Sequence, residues 1–272
     1  MIIDFHTHAF VDALAEQAIK KLSAVSGFHA YGNGTHAALS QHMEENGIDL
    51  AVVLNIAVKP HQAVRVNTAA MEQDGQITNN PAYRKFIQFG SLHPLTPNLE
   101  EEAKRIKAAG MKGVKIHPDY QGYYLNDPIW YPIFELCAAL DLPVITHAGF
   151  DPISPDVIHA TPAHTGHVLK NFPHLTFIVA HMGGIGCFDE TAETLGGRYE
   201  NLYFDTAFIR GNASQDQLLN LIRRHGSDRI VFGSDYPWDG CGNEVKLIQA
   251  LPLPEEEKEK ILGGNAKRLL NL

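Results

Sequence analysis

The sequence is poor in cysteine and carries no excess of positive charge. Its three cysteines, Cys137, Cys187 and Cys241, are odd in number and widely separated. This excludes a disulfide framework and fits a reducing compartment. The net charge of −9 argues against a protein that binds nucleic acid or an anionic membrane surface. A local basic pocket for one small anion is still compatible with that charge.

Targeting and membrane signals are also missing. The N-terminal MIIDFHTHAF has no basic region leading into an apolar one, and no segment approaches the ~18 uninterrupted apolar residues of a membrane span. We therefore expect a cytoplasmic protein that acts on a small molecule and binds neither nucleic acid nor membrane. The sequence leaves the oligomeric state open, with a homodimer as the common default.

What the chain does contain is an alternation of short apolar runs with segments of helical period. Near-continuous runs such as AVVLN and FIVA are typical of parallel strands covered on both faces. Strands are predicted at Ile2–His6, Leu50–Asn55, Phe86–Ser91, Gly113–His117, Pro143–His147, Thr176–His181, Leu202–Asp205 and Ile230–Ser234. Eight strands without a break in composition predict one α/β domain over residues 1–272, a (β/α)₈ TIM barrel. An open doubly wound sheet is the alternative, but no G-x-G-x-x-G follows the first strand.

Helices are predicted between these strands. Leu99–Ala109 ends on Gly110, which suits a left-handed C-terminal cap. Asp12–Leu22 and Thr35–Glu45 both precede the second strand, so the first crossover should carry an extra helix. Of the fifteen histidines, five lie in polar, helix-like or loop segments, where we expect solvated side chains: His36, His42, His61, His174 and His225.

Metal-capable side chains recur at the C-terminal ends of the predicted strands. They are His6, His8, His117, His147, His181, Asp205 and Asp235. In a (β/α)₈ barrel those ends converge on one mouth, where active sites are built. His6 and His8 are two residues apart in a strand, so both imidazoles point the same way and can chelate one ion.

No single member of this set is specific. H-x-H is a weak signal alone, a lone strand-end histidine such as His147 is more often structural, and Asp235 before Pro-Trp could be a turn residue. Together, three nitrogens and one oxygen satisfy zinc and leave a position for water. His181 could move a proton next to that water, or it could be structural or a fifth ligand.

Five motifs, DFHTH, KIHP, THAG, AHMGG and FGSDYPW, occur in that order from Asp4 to Trp238. In this respect the chain resembles the amidohydrolase superfamily, and within it the amidohydrolase-related branch of metal-dependent TIM-barrel hydrolases. That branch also includes aminocarboxymuconate-semialdehyde decarboxylase and related nonoxidative decarboxylases. The resemblance covers nearly the whole chain and specifies the superfamily better than the reaction.

The resemblance implies a role for each matching residue. His6, His8, His147 and Asp235 correspond to the metal ligands, and His181 corresponds to a catalytic histidine beside the metal. It also implies that Asp235 moves the proton of metal-bound water. We expect one divalent ion, zinc. Lys115 corresponds in position to the lysine that is carboxylated in binuclear members, but it could equally pack or bind an anionic substrate.

The chain begins at the first strand, so we expect no added β-sandwich domain before the barrel. The main expected function is metal-assisted hydrolysis of a C–N or C–O bond in a small amide, lactone or ester. The alternative is nonoxidative decarboxylation of a small unsaturated or aromatic acid at the same metal. Substrate contacts are expected from His117, Lys115 and Arg210, of which the two cations could anchor a carboxylate. A barrel that binds a ligand without catalysis is the third reading.

Overall fold

The computed structural model describes residues 1–77, 80 and 83–272. Within them, eight parallel strands form one sheet in which each strand pairs with the next along the chain. The strands are β1 Ile3–Thr7, β2 Leu50–Leu54, β3 Lys85–Ser91, β4 Val114–Ile116, β5 Val144–Thr146, β6 Phe177–Val179, β7 Leu202–Asp205 and β8 Ile230–Val231. All eight predicted strands are present. The largest boundary difference is at β8, which was predicted to extend to Ser234.

Helices cover the outside of this sheet. They are α1 Asp12–Ser26, α2 His36–Glu45, α3 Ala63–Ile77, α4 Leu99–Ala108, α5 Pro118–Gln121, α6 Tyr131–Ala139, α7 Pro162–Asn171, α8 Phe188–Thr194, α9 Gln215–His225, α10 Cys241–Ala250, α11 Glu255–Glu259 and α12 Asn265–Leu269. The extra helix predicted in the first crossover is present as α1 and α2. Thr35 begins α2 by accepting a hydrogen bond from Ala38 N, and Gly27 ends α1 with φ 74°.

The last strand returns to the first. Backbone hydrogen bonds of 2.7 Å from Phe5 N to Phe232 O and 2.6 Å from His8 N to Tyr236 O join the β8 segment to β1. The sheet is therefore nearly closed into a barrel, which confirms the (β/α)₈ prediction and excludes the open doubly wound alternative. No helix within the described ranges combines the length and the apolar content needed to cross a bilayer.

Two apolar layers stabilise the barrel. One joins residues of six strands across the interior, with Ala266 and Leu270 at one end: Ile3, Phe5, Leu50, Val52, Leu54, Phe89, Ile145, Ile178 and Val231. The other, larger layer lies between the strands and the helices and includes Val53, Ile106 and Phe134. The register of β1 against β2 shifts between Asp4 and Thr7. A register shift of this kind changes the direction in which side chains point, so polar residues can follow Phe5 at the mouth of the barrel.

Two of the histidines expected to be solvated are buried. His36 accepts a hydrogen bond from the Gln88 amide at 3.2 Å, and the His225 ring packs 4.4 Å from that of Phe204. Burial lowers the pKa of each imidazole to about 4. The expectation was wrong for both, because a helix that looks polar along the chain still turns some of its polar residues toward the barrel.

Candidate active site

The C-terminal ends of the strands open into one cavity of about 830 Å³. Seven of the residues predicted for the site line it, namely His6, His8, Lys115, His117, His147, His181 and Asp235. They come from β1, β4, β5, β6 and the segment after β8, and the closure of the barrel brings them together. The structure divides them into two groups joined by His181.

The first group, which we call the β1–β8 cluster, consists of His6, His8 and Asp235. Asp235 Oδ1 lies 3.4 Å from His6 Nε2 and 3.1 Å from His8 Nε2. Asp235 has φ 66°, a left-handed conformation held by the 2.8 Å hydrogen bond from its backbone N to His6 O. A non-glycine residue in this conformation is costly, and such strain is often found at functional positions.

The hydrogen bonds of the two imidazoles decide where their lone pairs point. His6 Nδ1 lies 2.7 Å from Asp205 Oδ2, and His8 Nδ1 lies 2.9 Å from Leu54 O. A carbonyl and a carboxylate accept, so each Nδ1 carries the proton and each Nε2 presents a lone pair toward Asp235. Ligands bound at about 2.1 Å around a tetrahedral ion are about 3.4 Å apart. The cluster therefore fits a divalent metal ion.

Burial and charge set the protonation of this cluster. Burial, with Lys115 nearby, holds the pKa of the His6 imidazole well below its usual value. Burial alone would raise the pKa of the Asp235 carboxyl, but His6, His8 and His181 outweigh it and that pKa is lowered. A neutral imidazole and an ionised carboxylate are the forms that bind a metal.

Lys115 places a cation at the floor of the cavity. Its side chain is only 1% exposed, and its Nζ lies 3.4 Å from His6 Nε2. Burial lowers its pKa to about 8, against the opposing effect of Asp205, Asp235 and Asp151. An ammonium beside the β1–β8 cluster can pair with an anionic group of a bound ligand.

The second group, which we call the β4–β5 cluster, consists of His117, His147 and Asp151. Asp151 Oδ2 lies 3.6 Å from His117 Nε2 and 3.7 Å from His147 Nε2. The two imidazoles stack with centroids 4.4 Å apart and an interplanar angle of 7°. His147, which we expected as the fourth ligand with His6, His8 and Asp235, is thus placed with His117 instead.

His181 joins the two clusters. Its Nδ1 lies 2.9 Å from Ala207 O, its Nε2 lies 3.0 Å from His147 Nδ1, and its ring centroid lies 5.3 Å from that of His6. Gly149 helps to set this arrangement, because a Cβ there would lie 2.0 Å from Ile185 N. Only glycine allows the loops after β5 and β6 to approach so closely.

Arg210 is the predicted site residue that the structure does not bring to the cavity. Its guanidinium donates to both carboxylate oxygens of Asp239, each at 2.9 Å, and its side chain is 46% exposed. It does not belong to the cavity lining formed by the described residues. The bidentate ion pair uses the donors that a substrate carboxylate would need.

Three carboxylates of the site were given no role by the sequence. Asp205 accepts from His6 Nδ1 and, at 2.8 Å, from the backbone N of His181. Asp151 lies in the loop after β5, and Asp119 lies in the short helix α5 after β4. The position of Asp205 at a strand end was a usable signal, whereas a loop aspartate has no periodicity that marks it.

Comparison with known proteins identifies relatives over nearly the whole chain. The family model described as amidohydrolase matches residues 3–272. The 2-amino-3-carboxymuconate-6-semialdehyde decarboxylase of Dictyostelium discoideum is 26% identical over 278 residues, covering 85% of this chain and 75% of that protein. The gamma-resorcylate decarboxylase of Polaromonas sp. is 23% identical over 285 residues, covering 85% of each chain.

Solved structures show the same fold. A 2,6-dihydroxybenzoate decarboxylase in complex with 2,6-dihydroxybenzoate matches with a TM-score of 0.75 and 20% identity, over 100% of this chain and 99% of that one. A dihydroxybenzoic acid decarboxylase from Polaromonas sp., with bound manganese, matches with a TM-score of 0.69 and 18% identity over 100% and 97%.

These relatives correct the main functional expectation. We expected hydrolysis of a C–N or C–O bond, but the similar proteins described above are named as decarboxylases. That expectation is wrong, and the alternative kept beside it is favoured. The chemistry of the site agrees, because water activation does not require the buried cation of Lys115.

Proposed function

The chain belongs to the amidohydrolase family, and from this membership we propose that it is a metal-dependent nonoxidative decarboxylase of a small unsaturated or aromatic carboxylic acid. The names of its curated relatives support this reaction. The observation that carries the proposal is the buried ammonium of Lys115 beside the β1–β8 cluster, at the floor of one cavity.

The metal ligands in this proposal are His6, His8 and Asp235, which direct two lone pairs and a carboxylate oxygen to one point. The role of His147 as a fourth ligand stays a prediction. We propose zinc, because two imidazoles and a carboxylate suit it. The manganese in a structural neighbour makes manganese the second ion to test. When bound, the ion supplies a positive charge that orients substrate oxygens and stabilises developing negative charge.

Residues of the chain anchor the substrate and supply the proton. Lys115 pairs with the substrate carboxylate or an oxygen beside it and holds it in a dry part of the cavity. As the bond to carbon dioxide breaks, its electron pair stays on the substrate carbon, which must then take a proton. His181 is proposed to provide it: Nδ1 is bonded to Ala207 O, so the proton is carried on Nε2, whose contact with His147 Nδ1 at 3.0 Å must break for the transfer.

His117 lines the same cavity, and its role as a substrate contact stays a prediction. Asp235 is proposed mainly as a ligand, and its second role as a proton acceptor stays a prediction. The proposed partner of this site is a small molecule. A homodimer and the absence of nucleic-acid binding stay predictions.

The test is carbon dioxide release from a panel of hydroxybenzoates and unsaturated dicarboxylic acids. Protein loaded with Zn²⁺ or Mn²⁺ should release it from at least one acid, and chelator-treated protein should not. The same preparations should leave a matched panel of amides, lactones and esters intact. Hydrolysis of that second panel without carbon dioxide release from the first would overturn the proposal.

A further inference from the structure

The cavity extends beyond the histidines into an outer groove that is lined by α1 and α3. The residues that define this outer groove are Leu14, Ala18, Leu22, Val25, Val64 and Ala69. The whole cavity, at about 830 Å³, lies near the upper end of the about 300–1,000 Å³ typical of pockets that hold drug-sized ligands. An acid of one ring bound at Lys115 would leave the outer groove unfilled.

Helix α1 presents an apolar stripe to the outer groove. Its members, Leu14, Ala18, Leu22 and Val25, follow one another at intervals of four, four and three residues, which places them on one face of a helix. All four line the cavity, whereas Ala15 is the only buried residue of the fifteen in α1, all of which are described. By comparison, α9 buries five of its eleven residues. The apolar stripe of α1 is therefore left largely open to the cavity.

Exposed apolar side chains concentrate around the same groove. Among the residues that the structure describes, twelve large apolar side chains are exposed, and six of them line this cavity: Leu14, Val25, Val58, Val64, Phe150 and Ile153. The charged residues that α1 and α3 contribute to the lining, Lys21, Arg65 and Glu72, are exposed, so their charged ends can stay in water. An apolar surface gathered around one opening is characteristic of a binding site.

The outer groove is preformed because α1 is anchored at both ends. Before the helix, Phe10 N donates a hydrogen bond of 2.8 Å to Gly34 O. After the helix, the Phe28 ring packs against that of Phe208, with the centroids 5.0 Å apart. Because α1 is held at its two ends, the space beside its apolar stripe exists before a ligand binds, and little ordering is needed on binding.

We propose that the outer groove binds an apolar substituent of the substrate, at the end of the molecule away from its carboxylate. The groove and the floor with Lys115 are parts of one cavity, so a ligand whose carboxylate pairs with Lys115 extends outward along α1. An alkyl chain suits this wall, because each methylene taken out of water strengthens binding up to about fourfold. The inference rests on the proposed function in one respect, which is the assignment of Lys115 to the acid end of the ligand.

Binding of acids that are not decarboxylated tests this inference apart from turnover. Benzoate and 4-butylbenzoate lack the hydroxyl groups that activate a ring for loss of carbon dioxide. Calorimetry with Zn²⁺-loaded protein compares their Kd values. We expect the Kd of 4-butylbenzoate to be at least about 30-fold lower, because its four additional carbons are partly buried in the groove. Equal Kd values, or no binding of 4-butylbenzoate, would overturn the proposal.

Variants of α1 then locate the effect. Ala18→Trp fills the outer groove and should reduce the ratio of the two Kd values to about threefold or less. Val25→Asn changes an exposed side chain, places a polar group on the stripe and should also reduce the ratio. Ala24→Trp is the matched control, because Ala24 is exposed on α1 and lies outside the cavity lining formed by the described residues. It should keep the wild-type ratio, and a wild-type ratio in either groove variant would contradict the proposal.

Sedimentation of the same proteins tests the other occupant of such a groove, a second copy of the chain. A lower mass of Ala18→Trp, together with equal Kd values of the two acids in the wild type, would show an interface and overturn the proposal. Tighter binding of 4-butylbenzoate by a protein that releases carbon dioxide from no acid would refute the proposed function and leave the apolar subsite standing. Carbon dioxide release combined with equal Kd values would do the reverse.

Discussion

The two histidine–carboxylate clusters at the barrel mouth differ in what holds them. In the β1–β8 cluster, His6 lies in a strand, and the backbone bonds that close the barrel fix Asp235 beside it. In the β4–β5 cluster, both histidines follow strands, but Asp151 comes from a loop. The first is therefore assembled by the barrel itself and the second by the loops above it.

This difference shows how one scaffold can carry sites of different origin. A cluster set by strand closure forms whenever the barrel forms, since its geometry is the geometry of the sheet. A cluster that needs a loop residue depends on contacts within that loop, such as the 2.8 Å hydrogen bond from Ile153 N to Asp151 Oδ1. Loops vary more freely than strands, so we expect the β4–β5 cluster to tolerate change better than the β1–β8 cluster.

The largest effect should come from breaking the β1–β8 cluster. Asp235→Asn removes the carboxylate that faces both His6 and His8, and should lower kcat/KM for carbon dioxide release by about 10³-fold or more. Zinc content should fall by one ion per chain. Asp156→Asn, which changes an exposed aspartate in the loop after β5, serves as the control. Retention of a tenth of wild-type activity in Asp235→Asn would contradict the role given to this cluster.

The connection between the clusters is tested next. His181→Asn removes the group placed to deliver a proton, and should lower kcat by about 10²–10⁴-fold with little change in KM. Its metal content should equal that of the wild type, because His181 is not a ligand in either cluster. His174→Asn, an exposed histidine, is the matched control. Loss of zinc from His181→Asn would show that it is a ligand instead.

A smaller effect is expected at Lys115, which belongs to neither cluster. Lys115→Met keeps the length of the side chain and removes the cation, and should raise KM about 10- to 100-fold, the value of a charge-assisted hydrogen bond. Steady-state kinetics with the best acid of the panel measures it. Lys112→Met, exposed on the preceding turn, should leave KM unchanged. An unchanged KM in Lys115→Met would exclude Lys115 as the carboxylate anchor.

The smallest effect concerns stability and leaves both clusters intact. Burial raises the pKa of the Glu244 carboxyl from 4.5 to about 9, so folding favours its protonated form. That contribution is fully present below pH 4.5 and is lost as pH rises through about 9. Glu244→Gln should therefore have a Tm near that of the wild type at pH 5 and a higher one at pH 9.

Thermal melts across this pH range measure the difference, and zinc content should not change. A constant difference in Tm from pH 5 to pH 9 would show that Glu244 does not titrate with folding. Melts of the cluster variants under the same conditions show whether their loss of metal reflects the site or general unfolding.

The strands and the barrel were predictable because the hydrophobic pattern that marks each strand lies within a few consecutive residues. Runs such as LAVVL and FIV are apolar on both faces, and eight strand-like segments in 272 residues leave few alternatives to a barrel. The same reasoning placed His6, His8 and Asp235 together. It failed for Arg210, because an ion pair with Asp239 is a contact between residues that no periodicity connects. It failed for His36 and His225 because burial depends on which way a helix faces the barrel.

The sequence by itself determined the barrel, its mouth and the presence of metal-capable side chains there. Only the tertiary structure decided how those side chains divide. The orientation of the His147 ring depends on its hydrogen bond to His181, 34 residues away in the sequence, and on how the loop after β5 places Asp151 beside it. A strand pattern fixes the end of the barrel at which a residue lies. The direction of a ring nitrogen is fixed by contacts that form only when the loops fold over the mouth.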